Sequence, residues 1–330
     1  IDYVDEYLFD GEYLLISEDG ANLVARKTPI AFIATGKFWV NNHAHVVRAK
    51  EDLVSNHYLQ FYFAATDISS SITGSAQPKL SQSKMNEIKI PVPPINDQHR
   101  IVAKIDAAFS RLDTAIQLQK QNIARTDEMK KSVLEEVFGK GEWEVKKLDE
   151  VVTINSGIAL PEIFKEGYKS GDIEFFKVAQ MNNDSKIMKD AEILFDEQTS
   201  KQYRIKIFPK GSTVFPKRGG AILTEKKRFL IKDASYDSNV MGLKANTKIL
   251  TDEYLFAFIQ SVEFSKLADS STIPQINNKQ IQGIRIPIPP LSIQQTIVQH
   301  LDRTFAQLDT LQTEQTTRLH HLENLKSSIL

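Results

Sequence analysis

Ile90-Pro91-Val92-Pro93-Pro94 recurs 196 residues later as Ile286-Pro287-Ile288-Pro289-Pro290. The register holds without a gap from Pro78/Pro274 to Leu134/Leu330, with 18 identities in 57 positions. Matches include Gln98/Gln294, Ile101/Ile297, Val102/Val298, Asp106/Asp302, Phe109/Phe305 and Leu112-Asp113-Thr114/Leu308-Asp309-Thr310. Shared helical composition does not explain this, because the prolines coincide as well. Upstream, Tyr58-Leu59 falls on Tyr254-Leu255 in the same register. A repeat on this scale organises the chain. By the same offset, Trp143 would match a position before Ile1. The first repeat is therefore expected to lack its beginning. The chain opens mid-pattern at Ile1-Asp2-Tyr3 without a methionine, as a truncated product would.

The Pro-rich segment cannot continue a helix, and each proline holds its predecessor extended. A long helix is predicted after each copy. Asn96 or Asp97 is expected to cap the first, and Ser292-Ile293-Gln294-Gln295 reads as a capping box for the second. Apolar residues then alternate at spacings of three and four. The first seam is Val102, Ile105, Phe109, Leu112, Ile116, Gln119, Ile123, Thr126, Lys130, Val133 and Val137. The second is Val298, Leu301, Phe305, Leu308, Gln312, Gln315, Leu319, Leu322, Lys326 and Ile329. This is a coiled-coil pattern. No Pro or Gly interrupts either run before Gly139. A pseudo-twofold arrangement would make the two helices antiparallel. Gln119, Gln312 and Gln315 either meet in a polar layer near mid-helix or face solvent there.

The 330 residues suggest about two domains at ~150 residues each. The division is 1–96, a first recognition module; 97–142, spacer helix 1; 143–291, a second module; and 292–330, spacer helix 2. The fold class is α+β: two mixed modules in tandem, each followed by a long helix, with the helices forming an antiparallel coiled coil. Phe175-Phe176-Lys177-Val178 and Ser212-Thr213-Val214-Phe215 read as strands, and Pro209-Lys210-Gly211 as a turn. Asp252 to Leu267 reads as one amphipathic helix, with Tyr58 to Phe63 beginning its counterpart.

Lys+Arg number 41 and Asp+Glu 42, so the net charge is −1. That excludes a uniformly basic nucleic-acid binder but leaves room for a local basic face. Ten basic residues lie between Lys201 and Lys232, against the single acid Glu225: Lys201, Arg204, Lys206, Lys210, Lys217, Arg218, Lys226, Lys227, Arg228 and Lys232. Such a cluster can displace counterions from duplex phosphates. A solvated basic face is the plainer alternative. Arg218 precedes Gly219-Gly220, where backbone could approach a phosphate. Gln180, Asn182 and Asn183 follow a strand, and Asn41 and Asn42 follow Phe38-Trp39-Val40. Their amides can read base edges or simply make turns. By contrast, residues 1–96 hold 8 basic and 11 acidic residues, so the first module is net acidic.

Signs of catalysis are scarce. There is no P-loop, no Gly-rich cofactor loop, no His-Glu-x-x-His and no amino-methyltransferase Pro-Pro-aromatic motif. The chain has no cysteine, which excludes disulfides, a thiol nucleophile and a thiolate metal site and fits a reducing cytoplasm. His43-x-His45 could seed a metal site but has no obvious third ligand, so no metal is expected. Glu144-Val145-Lys146 and Glu225-Lys226-Lys227 match only the tail of a nuclease motif. No run of about 18 apolar residues and no basic-then-apolar leader is present, so no membrane association is expected.

Two mixed modules, each closed by Ile-Pro-x-Pro-Pro and followed by a Gln-x-x-Ile-Val helix, resemble the specificity subunit of type I restriction–modification enzymes. Ile90–Asp106 and Ile286–Asp302 carry the likeness most strongly. Ile16–Leu23, Phe38–Val46, Ser156-Gly157 and Asp237-Ser238-Asn239-Val240 are also similar. The resemblance implies a non-catalytic DNA-recognition subunit with two target recognition domains. Each would read half of a split, asymmetric site, and the coiled coil would be a ruler between the halves. Partners would be double-stranded DNA, two methyltransferase subunits and a translocase/endonuclease subunit. S-adenosylmethionine, ATP and Mg would be used by those partners, none by this chain. DNA-facing candidates are Lys177, Gln180, Asn182, Arg204, Lys210, Lys217, Arg218, Lys226, Lys227, Arg228, Asn41 and Asn42. Spacer candidates are Val102, Ile105, Phe109, Leu112, Ile116, Leu301, Phe305, Leu308, Leu319 and Leu322. The competing reading is a coiled-coil scaffold without a DNA role. A nuclease or methyltransferase acting alone lacks its motifs.

Overall fold

The computed structural model describes residues 5–139, 141–183, 185–269 and 273–328. Ile1-Asp2-Tyr3, Ile329 and the Leu330 match lie outside them. The chain divides into two compact units, residues up to 123 with those from 314, and residues 124–313.

In the first unit, β1 (Tyr13–Ser17), β2 (Ala31–Ala34) and β3 (Ala44–Val47) form an antiparallel sheet in the order β2-β1-β3. The helix α1 (Asn56–Ala65) packs on it, capped by the Ser55 hydroxyl, which accepts the Tyr58 N–H. Leu14, Ile16, Leu23, Ile30, Leu59, Phe63 and Leu80 form the core. The short helix α2 (Gln82–Glu87) then leads to the prolines and to α3 (Ile95–Gly139), which passes from this unit into the second.

In the second unit, β4 (Val145–Lys147) precedes β5 (Val152–Ser156). A mixed sheet follows, built from β6 (Tyr168–Lys169), β7 (Ile173–Phe176), β8 (Ile193–Phe195) and a later strand. The main sheet adds β9 (Thr213–Pro216) and β10 (Arg228–Phe229). Next come β11 (Ser235–Tyr236), which completes the mixed sheet, and β12 (Val240–Ala245). The main sheet runs β10-β9-β12-β5, all antiparallel. Its first three strands repeat the order β2-β1-β3. The helix α4 (Asp252–Ser261) is the counterpart of α1, capped by Thr251 where α1 has Ser55. A one-turn helix, α5 (Asn278–Gln282), and β13 (Arg285–Pro287), paired with β4, lead to α6 (Leu291–Ser328).

The repeat persists bond for bond at the hinge. Gln98 and Gln294 are both fully buried. Gln98 Oε1 accepts the Ser55 N–H at 3.0 Å, and its amide donates to Leu53 O and Pro93 O. Gln294 does the same with Thr251 N, Ile249 O and Pro289 O. Tyr58 donates to Pro91 O and Tyr254 to Pro287 O. Each proline hinge is thus stitched to the head of α1 or α4. This corrects the expected caps. The helices begin at Ile95 and Leu291, directly after Pro94 and Pro290, whose carbonyls accept the first amides. Neither Asn96, Asp97 nor Ser292 caps; the conserved-register glutamines face the module instead.

Two further expectations are corrected. Asp252–Leu267 is not one helix: α4 stops at Ser261 and a separate turn covers Phe264–Leu267. The Glu225 carboxylate takes the Phe264 and Ser265 N–H groups, so the chain restarts there. The strand at Phe175 ends at Phe176, because Gln180 Oε1 takes the Lys177 N–H and closes a 3-10 turn over Val178–Met181.

The helix seams follow the three–four spacing. Ile116, Gln119, Thr126, Leu301 and Leu308 are buried, as is Leu134 beside the seam, and the remaining described seam residues are half-buried. Within each unit α3 and α6 run antiparallel. In the first, Gln119 Nε2 donates to Gln315 O at 3.0 Å, Lys120 pairs with Glu323 and Lys326 with Asp113. In the second, Lys130 pairs with Asp309 at 2.7 Å and also bonds Gln312, whose amide reaches Asp127. Lys130–Asp309 and Lys326–Asp113 are the same pair at the repeat offset. The three glutamines therefore meet polar partners rather than only solvent. Phe109 stacks on Phe61 in one unit, and Phe138, next to the seam, meets Tyr254 and Phe258 edge-on in the other.

Candidate nucleic-acid interface

The basic stretch does not act as one patch. Lys227 is 4% exposed and Arg228 8%. The Lys227 ammonium donates to Glu225 at 2.7 Å and lies over the Phe264 ring. The Arg228 guanidinium donates to the carbonyls of Lys227, Met181 and Asn183. Both side chains are used inside the module, which corrects their assignment as DNA-facing groups. A charge this buried needs a partner, and each has found one. Gln180, 9% exposed, is likewise spent on closing its own turn. Lys201 and Lys232 pair with Glu197 and Glu174.

Two groups remain at the surface. In the first, Arg228 holds the 181–183 turn, and Lys226 Nζ donates to Asn182 Oδ1 at 3.2 Å. Asn183 is absorbed in turn bonds to Gln180 O and Ser185 N. Lys177 is half-buried, 3.8 Å from Glu192. The second group gathers at the end of β5. Lys206 reaches Asn155 and Lys217 reaches Ser156 at 3.1 Å. Arg218 adjoins them, and Arg204 and Lys210 are exposed on the segments that lead into β9. Burial pulls the Lys217 ammonium pKa down, and neighbouring Arg218 adds to this while Asp237 opposes it. The close packing of that end also fixes Gly157, where a Cβ would lie 1.9 Å from the Asp237 carbonyl oxygen.

Reasoning from sequence missed Ser156, Gln275, Asn277 and Asn278. Gln275, Asn277 and Asn278 line a cleft of about 400 Å³ with Lys217, Arg218 and Ser238, and the Ser156 hydroxyl accepts from the Lys217 ammonium beside it. Pro274-Gln275 had matched Pro78-Lys79 in the repeat, but only the fold returns that loop to the end of β9, where Ile276 N bonds Lys217 O.

In the first unit Asn41 and Asn42 are exposed on the loop before β3, and Asn41 Oδ1 accepts the His43 N–H as an Asx turn. His43 Nδ1 meets Asp19 at 2.9 Å while His45 Nε2 meets Leu80 O. The two imidazoles therefore take separate partners. Glu144 pairs with Lys146 and Glu225 with Lys227, which gives both Glu-x-Lys tripeptides a structural use. Among the described residues no group of three His, Cys, Asp or Glu could hold a metal, and no helix is long and apolar enough to cross a membrane.

The type I restriction modification DNA specificity domain matches the chain twice, over residues 1–125 and 140–321. The chain belongs to that family, and its role is DNA sequence recognition by two domains rather than catalysis. It is 28% identical to a Haemophilus influenzae protein named as a type I restriction enzyme specificity subunit, over 92% of this chain and 77% of that one. It is 24% identical to a type I specificity subunit of Methanocaldococcus jannaschii, over 86% and 70%. Among solved structures, a chain from a study of type I R-M complex assembly superposes with a TM-score of 0.74 at 19% identity, covering 98% of this chain and 81% of that one. The HsdS subunit from Thermoanaerobacter tengcongensis gives 0.62 at 19%, covering 98% and 80%. Those two likenesses establish the fold.

Proposed function

We propose that this subunit reads a bipartite, asymmetric DNA target, one half-site with each of residues 1–96 and 143–291. The helices 97–142 and 292–330 then act as the ruler between the halves. The observation that carries this is the twofold family match, joined to a repeat that persists down to single hydrogen bonds. Two equivalent modules joined through paired helices suit a target of two separate halves. The assembly would include two methyltransferase subunits, which bring S-adenosylmethionine and methylate adenine. A restriction subunit using ATP and Mg would join for cleavage, all in the cytoplasm. The likeness to a chain from a type I R-M assembly supports those partners. Arg204, Lys210, Lys217, Arg218 and Lys226 would meet the duplex, with Lys177, Asn182, Asn41 and Asn42 beside them.

The test is to co-express the chain with the methyltransferase subunit of its own operon in an unmethylated host and map methylated adenines. A split motif is expected. No methylation by a stable complex would favour a scaffold.

Two predictions follow from this reading. Lys217→Glu with Arg218→Glu should weaken DNA binding by the assembled complex at least ~10-fold and make its salt dependence shallower by about one to two ions. Unchanged affinity would remove the cluster at the end of β5 from the interface. Inserting one heptad into each helix, at the level of Gln119 and Gln315, lengthens the coil by about 10 Å. The spacer should grow by about three base pairs at ~3.4 Å each while both half-sites stay the same. Altered half-sites would sink the ruler.

A further inference from the structure

The two modules share one corner, built from the same bonds, and it carries opposite charge in each. In the first unit Glu18-Asp19-Gly20 follows β1. Glu18 N donates to His43 O, Glu18 O accepts from Leu80 N, and Gly20 N donates to Pro78 O. Asp19 bridges to Lys79 across an isolated antiparallel pair. In the second unit Lys217-Arg218-Gly219 follows β9. Lys217 N donates to Asn239 O, Lys217 O accepts from Ile276 N, and Gly219 N donates to Pro274 O. Arg218 bridges to Gln275 in the same way. The facing turns also agree, since Asn41 Oδ1 accepts His43 N and Asp237 Oδ1 accepts Asn239 N. Both glycines sit at positive φ, +104° and +77°, with open space where a Cβ would be. The backbone is kept and the side chains are exchanged.

What the second corner presents is an arginine with nothing to hold. Arg218 is exposed, and among the described residues its guanidinium makes no hydrogen bond or ion pair. It stands on the rim of the cleft lined by Ser238, Gln275, Asn277 and Asn278, side chains able to donate and accept. Asn277 is fixed by its capping box with Gln280. Lys217, by contrast, is tied to Ser156. An unengaged, planar fork of donors beside neutral amides suits the O6 and N7 acceptors of guanine, whereas a bare phosphate is served as well by a lysine.

We propose that Arg218 is a base-reading residue of the second recognition domain, taking a guanine through its major-groove edge, with Gln275 beside it. The inference rests on the DNA-recognition reading above. In the first domain the same backbone corner holds Asp19 bonded to His43, which gives that half no equivalent guanine reader. Two modules with one corner geometry would in this way read different bases.

The test uses the full chain with its methyltransferase subunits, comparing wild type with Arg218→Lys and Arg218→Gln. Arg218 is exposed, so the fold is expected to hold in both variants. Wild type should methylate a split motif with guanine at one position of one half-site. Arg218→Lys keeps the charge but loses the fork. It is expected to relax that single position by about 5- to 150-fold in discrimination while leaving the other half-site and the salt dependence unchanged. Arg218→Gln should relax the same position and also bind more weakly overall. If Arg218→Lys keeps the wild-type motif while Arg218→Gln only weakens binding uniformly, Arg218 is a phosphate contact and the inference is wrong. Failure of the wild-type complex to methylate any defined motif would instead overturn the DNA reading itself.

Discussion

Gln294→Leu is expected to destabilise the second half of the protein by about 3 kcal/mol or more, and Gln98→Leu the first half by a similar amount. Each glutamine is fully buried and satisfies one amide N–H and two carbonyls. Leucine fills the volume but supplies no partner, and each orphaned buried group costs about 1–3 kcal/mol. At roughly 2–4 °C per kcal/mol for a unit of this size, the midpoint should fall by about 10 °C. The exposed neighbour in Gln295→Leu is the control and should change stability by less than ~0.5 kcal/mol. Thermal or urea unfolding of the full chain measures both. A Gln294→Leu variant as stable as the control would show that the hinge bonds add nothing. The functional reading gives a second consequence. The glutamine links the Pro-rich turn, the head of α4 and the start of α6, so losing it frees the angle at which the spacer helix leaves its module. Half-sites should then remain defined while the spacer between them loses its single length.

Those same glutamines show how far the sequence could be read. Their coincidence at the repeat offset was visible in Gln98/Gln294, but their purpose was not. Read locally, a glutamine four residues beyond a proline pair looks like part of a helix cap. Its partners, Ser55 and Thr251, lie 43 residues upstream, beyond any local pattern. The helices themselves were legible because the three–four spacing is a property of neighbours, and every described seam residue is buried or half-buried, most of them between exposed flanks. The basic stretch was legible only as composition. A run of ten charges says nothing of direction, and it took β10 to turn Lys227 and Arg228 inward while the segment after β9 turned Arg218 out. Gln275 entered the site through a loop return of more than fifty residues, which no motif encodes.

The repeat also shows where the modules diverged in chemistry on a fixed backbone. Arg26 and Glu225 hold equivalent places, each in the left-handed region at φ +50° and +52°, each following a buried apolar residue, Leu23 or Ile222, by three positions. The Arg26 guanidinium donates to Phe63 O and Thr66 O, the carbonyls at the C-terminal end of α1. The Glu225 carboxylate accepts from Phe264 and Ser265, the first amides of the turn beyond α4. A cation meets the carbonyl end of a helix in one module and an anion meets the amide end in the other, and each choice agrees with the local backbone polarity. The positions next to the reading corner are thus structural in both modules, although their charges are reversed.

Glu225→Ala should therefore be among the most damaging single changes in the second unit, costing about 3–5 kcal/mol. It strips the buried Lys227 ammonium of its counter-ion and leaves two backbone amides without their acceptor. Lys227→Met should be far milder, within ~1–2 kcal/mol, because the stem already packs on Phe264 and the part-exposed carboxylate keeps its two amides. That asymmetry between partners marks a charge held for its acceptors rather than for the ion pair alone. The acid limb supplies an independent reading. Burial pushes the Glu225 carboxyl pKa up, but hydrogen bonds from Lys227, Ser265 and Phe264 outweigh it and hold it down at about 2. A carboxylate whose pKa is lower folded than unfolded contributes stability that is present above its ordinary value near 4.5 and is lost as pH falls towards about 2. Glu225→Gln should accordingly flatten the fall in stability across that window, and Lys227→Met should leave part of it. If Glu225→Ala proves no more harmful than Lys227→Met, or if Glu225→Gln keeps the wild-type acid limb, the carboxylate is not what starts the Phe264 turn.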